Sequence, residues 1–367
     1  ASVNVNVLNN TVTSELLSRT GKIIADSANV TADSVIDLNI NTNSTAGGLA
    51  GIAGTVAVTN IGDRITSDVN VDDANVQDSV AQAQDTVNGL GLADEISLTA
   101  GDSTQKQGTA AIVSADITTN NDINVKATNT VHADIYNKNI TGGIVAAGAT
   151  VLVTNTNYKT SASIDKDNAS VSSQNGDISV IAKNNITAAT EAKQGSGGLA
   201  SINGNIALFK NNAQTSSEIL SGTINALAGN VNINAESTDN ITSIAHGEIG
   251  GGAVINVIVA QTETDNKTTA QIKGKNGKKV TINAKNLEIT ATNTSDLKAE
   301  MMSTAGGAFV ANTVINEAVS KSDTTAGIFT PNGDITLTGD LTIAAQTDHI
   351  RVNDNVIVGS IAAVGAA

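Results

Sequence analysis

The feature that most limits how this chain can fold is a Gly-Gly pair that recurs with an apolar run behind it. Pairs stand at Gly47-Gly48, Gly142-Gly143, Gly197-Gly198, Gly251-Gly252 and Gly306-Gly307, at spacings of 95, 55, 54 and 55 residues. Related passages follow each, among them GGLAGIAGTVAVTN from Gly47, GGIVAAGATVLVTN from Gly142 and GGLASINGNIALFKN from Gly197. About 35 residues after a pair comes a turn that leads into an alternating strand: NGDISVIA (175–182), GNVNINAE (229–236), KKVTINAK (278–285) and NGDITLTG (332–339). Asn-Gly favours positive φ and tight turns, and I-x-V alternation places branched side chains on one face of a strand. A period of this length points to a stacked-repeat architecture rather than to two or three rounded domains.

Composition narrows the choice. Apolar residues are 40% of the 367, yet aromatics are 1%, with two Tyr, three Phe and no Trp. A rounded core relies on large rings to fill its middle. A stack needs columns of Val, Ile, Leu and Ala with Asn and Gly at its turns, and a propeller blade would carry aromatic signatures absent here. The expected fold is therefore all-β, a parallel β-helix (β-solenoid) running through 1–367 as one continuous segment of a longer repeat protein. The 95-residue spacing contains about 40 surplus residues, read as a 12-residue insertion plus one added coil of about 27 over 94–121. That reading makes a coil 27 residues, with 18 as the alternative, and gives 13–14 coils and a rod on the order of 65 Å. Within the insertion, Val76, Val80, Ala83 and Val87 fall on one helical face, predicting a short lateral helix over 72–89. The chain starts inside a repeat at Ala1, and its tail from Gly359 begins another copy, so continuation on both sides is expected.

Function classes can be weighed by charge and residue type. Twenty Lys plus Arg against 35 Asp plus Glu give a net charge of −15, a field that repels phosphate backbones, so no nucleic-acid partner is expected. The absence of cysteine removes disulfides, thiolate metal sites and a Cys nucleophile. No run of about 20 apolar residues predicts a spanning helix. His132, His246 and His349 are the only imidazoles; His132 and His349 are candidates for one shared column, and none assembles with Ser and Asp at a catalytic spacing. Converging acids with Arg and Trp would be needed to cut polysaccharide, and Arg19, Arg64 and Arg351 are scattered. The chain reads as non-catalytic, with no cofactor and no metal. Asp72-Asp73, the Asp165 and Asp167 pair, and the turn acids Asp177 and Asp334 offer oxygens that calcium could use, with structural turns the favoured reading. Sequons at Asn29, Asn139, Asn185 and Asn240 carry little weight in so Asn-rich a chain, and Thr-Asn-Thr at Thr128, Thr154 and Thr292 does not recur at every coil as an ice-binding array would.

The NGDISV and NGDITLTG turns, the V-N-I-N-A strands, the Gly-Gly-Ala-Val runs and the scarcity of Cys, Pro and aromatics resemble the repeat region of large filamentous adhesins of the two-partner secretion type, most of all the leukotoxin-like filamentous adhesins. The resemblance implies a right-handed β-helix, secretion through an outer-membrane partner, and display on the bacterial cell surface or release from it. A rigid stalk that touches host cells or neighbouring filaments is the expected role. A self-assembling filament or matrix protein and a membrane-damaging exoprotein are the alternatives.

Overall fold

The computed structural model describes residues 2–62, 107–274, 277–329 and 332–366, and all of its regular structure is β. Thirteen strands form one sheet in which every pairing is parallel. Each repeat contributes three stretches. A 13- to 15-residue stretch appears as β2 (Val12–Ala25), β5 (Gln107–Thr119) and β8 (Lys159–Ser173). A 19- to 20-residue stretch follows as β3 (Ala28–Ala46) and β6 (Ile123–Gly142), and beyond the glycine pair lies a third, as β4 (Ala50–Gly62) and β7 (Val145–Asn157). β1 (Ser2–Leu8) is a further copy of this third stretch, paired with β4. Later repeats run these stretches together in β9 (Ile178–Asn211), β10 (Gln214–Lys273) and β11 (Val280–Phe329), and β12 (Ile335–Leu337) and β13 (Leu341–Ala366) close the series.

The pairing register gives the true period. Ala28 stands beside Ile123, Ile123 beside Ile178, Ile178 beside Val231, Val231 beside Leu287 and Leu287 beside Leu341, so six rungs are stacked. Paired residues are 51 to 58 apart in sequence, or 94 to 97 where the insertion intervenes. The expected 27-residue coil, and with it the count of 13–14, is therefore replaced by one circuit of about 54 residues and six rungs. The physical reason is that each circuit holds two turns marked in the sequence, the glycine pair and the Asn-Gly turn, and marker spacing cannot distinguish one circuit with two marked turns from two circuits. At about 4.8 Å per rung the stack is on the order of 30 Å tall, half the length expected for the rod. β3 pairs directly with β6, with no rung between them. Residues 107–119 of the expected extra coil are β5 of an ordinary rung. Residues 94–106 of that coil and the expected helix over 72–89 fall outside the described residues, and no α-helix occurs among those described.

Alternation decides what faces inward. Along β6 the burial pattern repeats with period two, which puts Ile123, Val125, Ala127, Val131, Ala133 and Ile135 in the interior. The first stretch packs its Ala111, Val113 and Ile117 against the start of the second, around Val125 and Ala127. The third stretch folds back over the rest: Ala57 and Leu152 meet Ile40 and Ile135, and Ile61 meets Ile36 and Val131. Each fully buried Val or Ile contributes roughly 1.5–3 kcal/mol relative to exposure. Around the first stretch and the start of the second the columns stack aliphatic on aliphatic, as in Ile123, Ile178, Val231 and Leu287, whereas farther along buried Asn, Thr and Ser share the interior.

Two of the five aromatic side chains, Tyr158 and Phe209, share one cluster where the third stretch gives way to the first. Small neighbours make room for them: Phe209 stacks between Thr154 and Thr262, and Tyr158 lies against Gly108, where a β-carbon would come within 2.3 Å of the ring.

The glycine pair is asymmetric. The column Gly143, Gly198, Gly251, Gly307 is stacked so closely that a β-carbon on any member would sit 2.3–2.5 Å from the carbonyl oxygen of Gly48, Gly143, Gly198 or Gly251 in the rung before it. Around Gly197, Gly250 and Gly306 there is open space. The register aligns Gly197-Gly198 with Gly250-Gly251 rather than with Gly251-Gly252. Gly198→Ala is accordingly expected to destabilise the protein by about 1–3 kcal/mol through forced backbone displacement, and Gly197→Ala to leave the thermal midpoint almost unchanged. Equal losses in the two melts would show that the corner is not held by this contact.

Candidate functional surfaces

Each turn and seam of the stack carries a polar ladder built from the Asn-rich sequence. At the entry to the long stretch, Asp122 Oδ1 accepts the Asp177 amide at 2.9 Å and Asp177 Oδ1 accepts the Asn230 amide at 2.7 Å. Asn230 Oδ1 then accepts Asn286 Nδ2 at 2.8 Å, and Asn286 Oδ1 accepts the Asp340 amide at 2.7 Å. Asp177, a candidate calcium ligand, is thus a rung of a hydrogen-bond ladder. Asp165 accepts the Ser221 hydroxyl at 3.0 Å, Asp167 lies 3.8 Å from Lys278, and the Asp334 carbonyl accepts the Ile282 amide at 2.9 Å. Asp72-Asp73 and Arg64 lie outside the described residues. Among the described residues no three His, Cys, Asp or Glu approach closely enough to hold a metal ion together.

The histidines occupy three different columns. His132 shares one with Thr187, Asn240, Asp296 and Arg351, whereas His349 stands in the column of Asn185, Thr238 and Thr294 and His246 in that of Lys193 and Met302, so the suggested common column is not formed. His132 is exposed and lies 3.2 Å from Asp134. Arg351 pairs with Asp296 at 3.3 Å. Thr128 and Thr292 do share a column, but Lys183 and Glu236, joined at 2.6 Å, stand between them, so no flat threonine array exists there. Of the sequons, Asn139 is fully buried and donates to the Ala53 carbonyl at 3.0 Å, whereas Asn29 and Asn240 are exposed.

One charged group in the interior escaped the sequence reading. Asp239 occupies the column of Val131 and Ile186, is 1% exposed, and accepts from Asn211 Nδ2 at 3.1 Å, Thr264 Oγ1 at 3.3 Å and Asn266 Nδ2. Burial pushes its carboxyl up to about 7, against the pull of those three donors. Asn211 and Asn266 are themselves linked at 3.0 Å, and Asn211 accepts the Thr156 hydroxyl at 2.6 Å. The carboxylate therefore closes an amide ladder; no nucleophile or second acid faces it in this network.

Two open depressions lie on the outside. One, of 280 Å³, is bordered by Lys159, Lys267 and Lys273, but Glu218 also lines it and Asp323 stands beside Lys267 in register, so its charges alternate. The other, of 650 Å³, lies against the glycine corner between Ile140, Ser196, Glu248 and Thr304. Near it the outer face of the third stretch is apolar in two zones. Val56, Val151, Val153, Ile206, Leu208 and Val259 form a buried cluster on the side away from the interior, and closer to the corner Leu49, Ile52, Leu199 and Ile202 are 79%, 71%, 70% and 53% exposed. Surface ion pairs elsewhere, such as Glu191 with Lys193 at 2.6 Å, are solvated and contribute at most about 1 kcal/mol each.

The chain matches no family model, no curated protein and no solved structure.

Asp239 sets a pH dependence of known sign. Its native carboxyl holds its proton to about 7, whereas the unfolded chain releases it near 3.8, so the stabilising proton is fully in place below the lower value and is lost as pH rises through the higher one. Wild type is expected to lose stability relative to Asp239→Asn between about pH 4 and pH 7, by up to about 1.4 kcal/mol for each pH unit inside that window, with the gap levelling off above it. Thermal melts of the two proteins across the range check this; a gap that stays constant would contradict it.

Proposed function

We propose that this chain is a non-catalytic structural segment of an extracellular bacterial adhesin, built as a right-handed parallel β-helix with about 54 residues per coil. The observation that carries the reading is the parallel register, six rungs deep, with aliphatic residues stacked on aliphatic ones in many of the inward columns. Such a stack satisfies backbone hydrogen bonds between coils and buries branched side chains between its faces, which makes a stiff body whose outside is free to vary. The arrangement of the acids and imidazoles favours a mechanical over a chemical role: Asp177 is spent on a turn ladder, Asp239 on an interior one, and the histidines stand in separate columns. Secretion through an outer-membrane partner and contact with host surfaces or neighbouring filaments belong to the same proposal and rest on the likeness of the repeats to filamentous adhesins.

Antibodies raised against the purified chain and applied to intact cells of the producing bacterium test it. Labelling of unpermeabilised cells, removed by mild external protease, is the expected result. Labelling only after permeabilisation would overturn the extracellular reading.

A further inference from the structure

The glycine corner carries more apolar surface than stacking requires. In the third stretch, alternate residues point away from the interior, and just after the corner these outward positions form columns up the stack. Leu49, Ile144 and Leu199 make one column, 79%, 50% and 70% exposed, and Ile52, Ile202 and Ile255 belong to another, 71%, 53% and 49% exposed. Phe309, 61% exposed, stands on the fifth rung of the same strip. Taken over five rungs, the four outward positions 49, 50, 52 and 54 and their register partners comprise twenty residues, with no charge and a single hydroxyl, Thr313. With 15% of the chain charged, about three charges would fall among twenty surface positions by composition alone. Contiguous exposed apolar surface of this extent marks an interaction site.

We propose that this strip is a lateral self-association surface, and that its occupant is the same strip on a second copy of this chain. Three features select that occupant. The face is a flat ladder ribbed at the strand spacing of about 4.8 Å, and the surface that matches such ribs along its whole length is an identical ladder, whose side chains interleave as in dry sheet-to-sheet contacts. A strip six residues wide spans about 20 Å, so each rung offers about 100 Å² and five rungs about 500 Å² per partner, at the lower limit of specific interfaces and growing with every rung added. A membrane surface is disfavoured because the strip lacks the Trp and the Lys or Arg rim that interfacial segments use, and the net charge of −15 opposes anionic lipid. The same net charge sets copies apart over long range, so association strengthens as salt screens it.

The proposal concerns the purified chain and stands or falls independently of where the protein is displayed. Sedimentation velocity at rising protein concentration, in low and high salt, is expected to show a monomer passing to a dimer, more readily in high salt. Leu199→Glu combined with Ile202→Glu is expected to abolish the dimer with the thermal midpoint unchanged, since both side chains already face solvent. Because the sequence contains no cysteine, Ile202→Cys, at the middle rung of the strip, is expected to form a disulfide-linked dimer under mild oxidation, whereas Thr187→Cys on the exposed side of the long stretch is not. A chain that stays monomeric throughout overturns the proposal. So does association that survives the double Glu substitution without cross-linking through residue 202, which would assign it to the ladder ends. Binding of a monomer to phosphatidylcholine vesicles, lost in the Glu variant, would replace the second copy by a lipid surface.

Discussion

Parallel in-register stacking is the constraint on which everything else in this protein depends. When a residue lies directly against its counterpart one circuit away, a side chain must fit itself as well as its neighbours. Branched aliphatics satisfy this, and so do amides, which can donate to the rung on one side and accept from the rung on the other: Asn225 donates to Ser172 at 3.0 Å and accepts from Asn283 at 2.9 Å, and Asn230 donates to Asp177 at 3.1 Å and accepts from Asn286 at 2.8 Å. Carboxylates satisfy it only where the partner is a donor, as in the turn ladder from Asp122 through Asp177 to Asn230. The same rule accounts for glycine at the corner, because two backbones at ladder spacing leave no place for a β-carbon when the chain turns there.

Three of the exceptions to like-on-like stacking cluster where the coil changes direction. Phe209, Tyr158 and Asp239 all lie near the junction between the third stretch and the first, opposite the middle of the long one. The two rings reach into that space, with Thr, Ala and Gly in adjacent rungs giving up volume to them. In the next two rungs Ala213 and then Asn266 replace Tyr158, and the space is closed instead by amides gathered around one carboxylate. Aromatic filling and polar filling are two solutions to one packing problem. The second leaves an ionisable group inside, which ties the stability of that rung to proton uptake.

Much of this architecture is legible in the sequence because the ladder has to be written into it repeatedly. The glycine pairs, the turn markers and the I-x-V alternation specify stacked parallel strands and even assign the inward positions. The circuit length is not legible, since a turn looks the same whether or not the strands it joins belong to successive rungs. Asp239 shows a subtler limit. The tripeptide Asn-Ile-Thr occurs at 185–187 and again at 240–242, and matching the two by eye would set Ile241 on Ile186. In the structure Ile241 pairs with Ala188 and Asp239 with Ile186, a slide of two residues. A slide of two keeps every side chain on its own face, so the hydrophobic pattern gives no warning, yet it delivers an acid to an aliphatic slot. The apolar strip at the corner is visible in the sequence only as a run of Gly, Ala, Val and Ile. Alternation places half of that run outside, and only burial distinguishes the halves.

Circuit length also bears on what the fold is for. Raising the stack by one strand spacing takes about 54 residues, so length is a poor explanation for so wide a coil; a coil of 18 would reach three times as far for the same chain. What a wide coil supplies is breadth, since the long stretch alone spans on the order of 65 Å at about 3.3 Å per residue. Its outward positions change from rung to rung, for instance from His132 to Thr187 to Asn240 to Asp296, while the inward column on one side of them, Ala133, Ala188, Ile241 and Leu297, stays aliphatic. Against that variation, the strip beside the glycines stays uncharged over five rungs. On the proposed lateral association, that uniformity is what a contact spanning the five rungs would require.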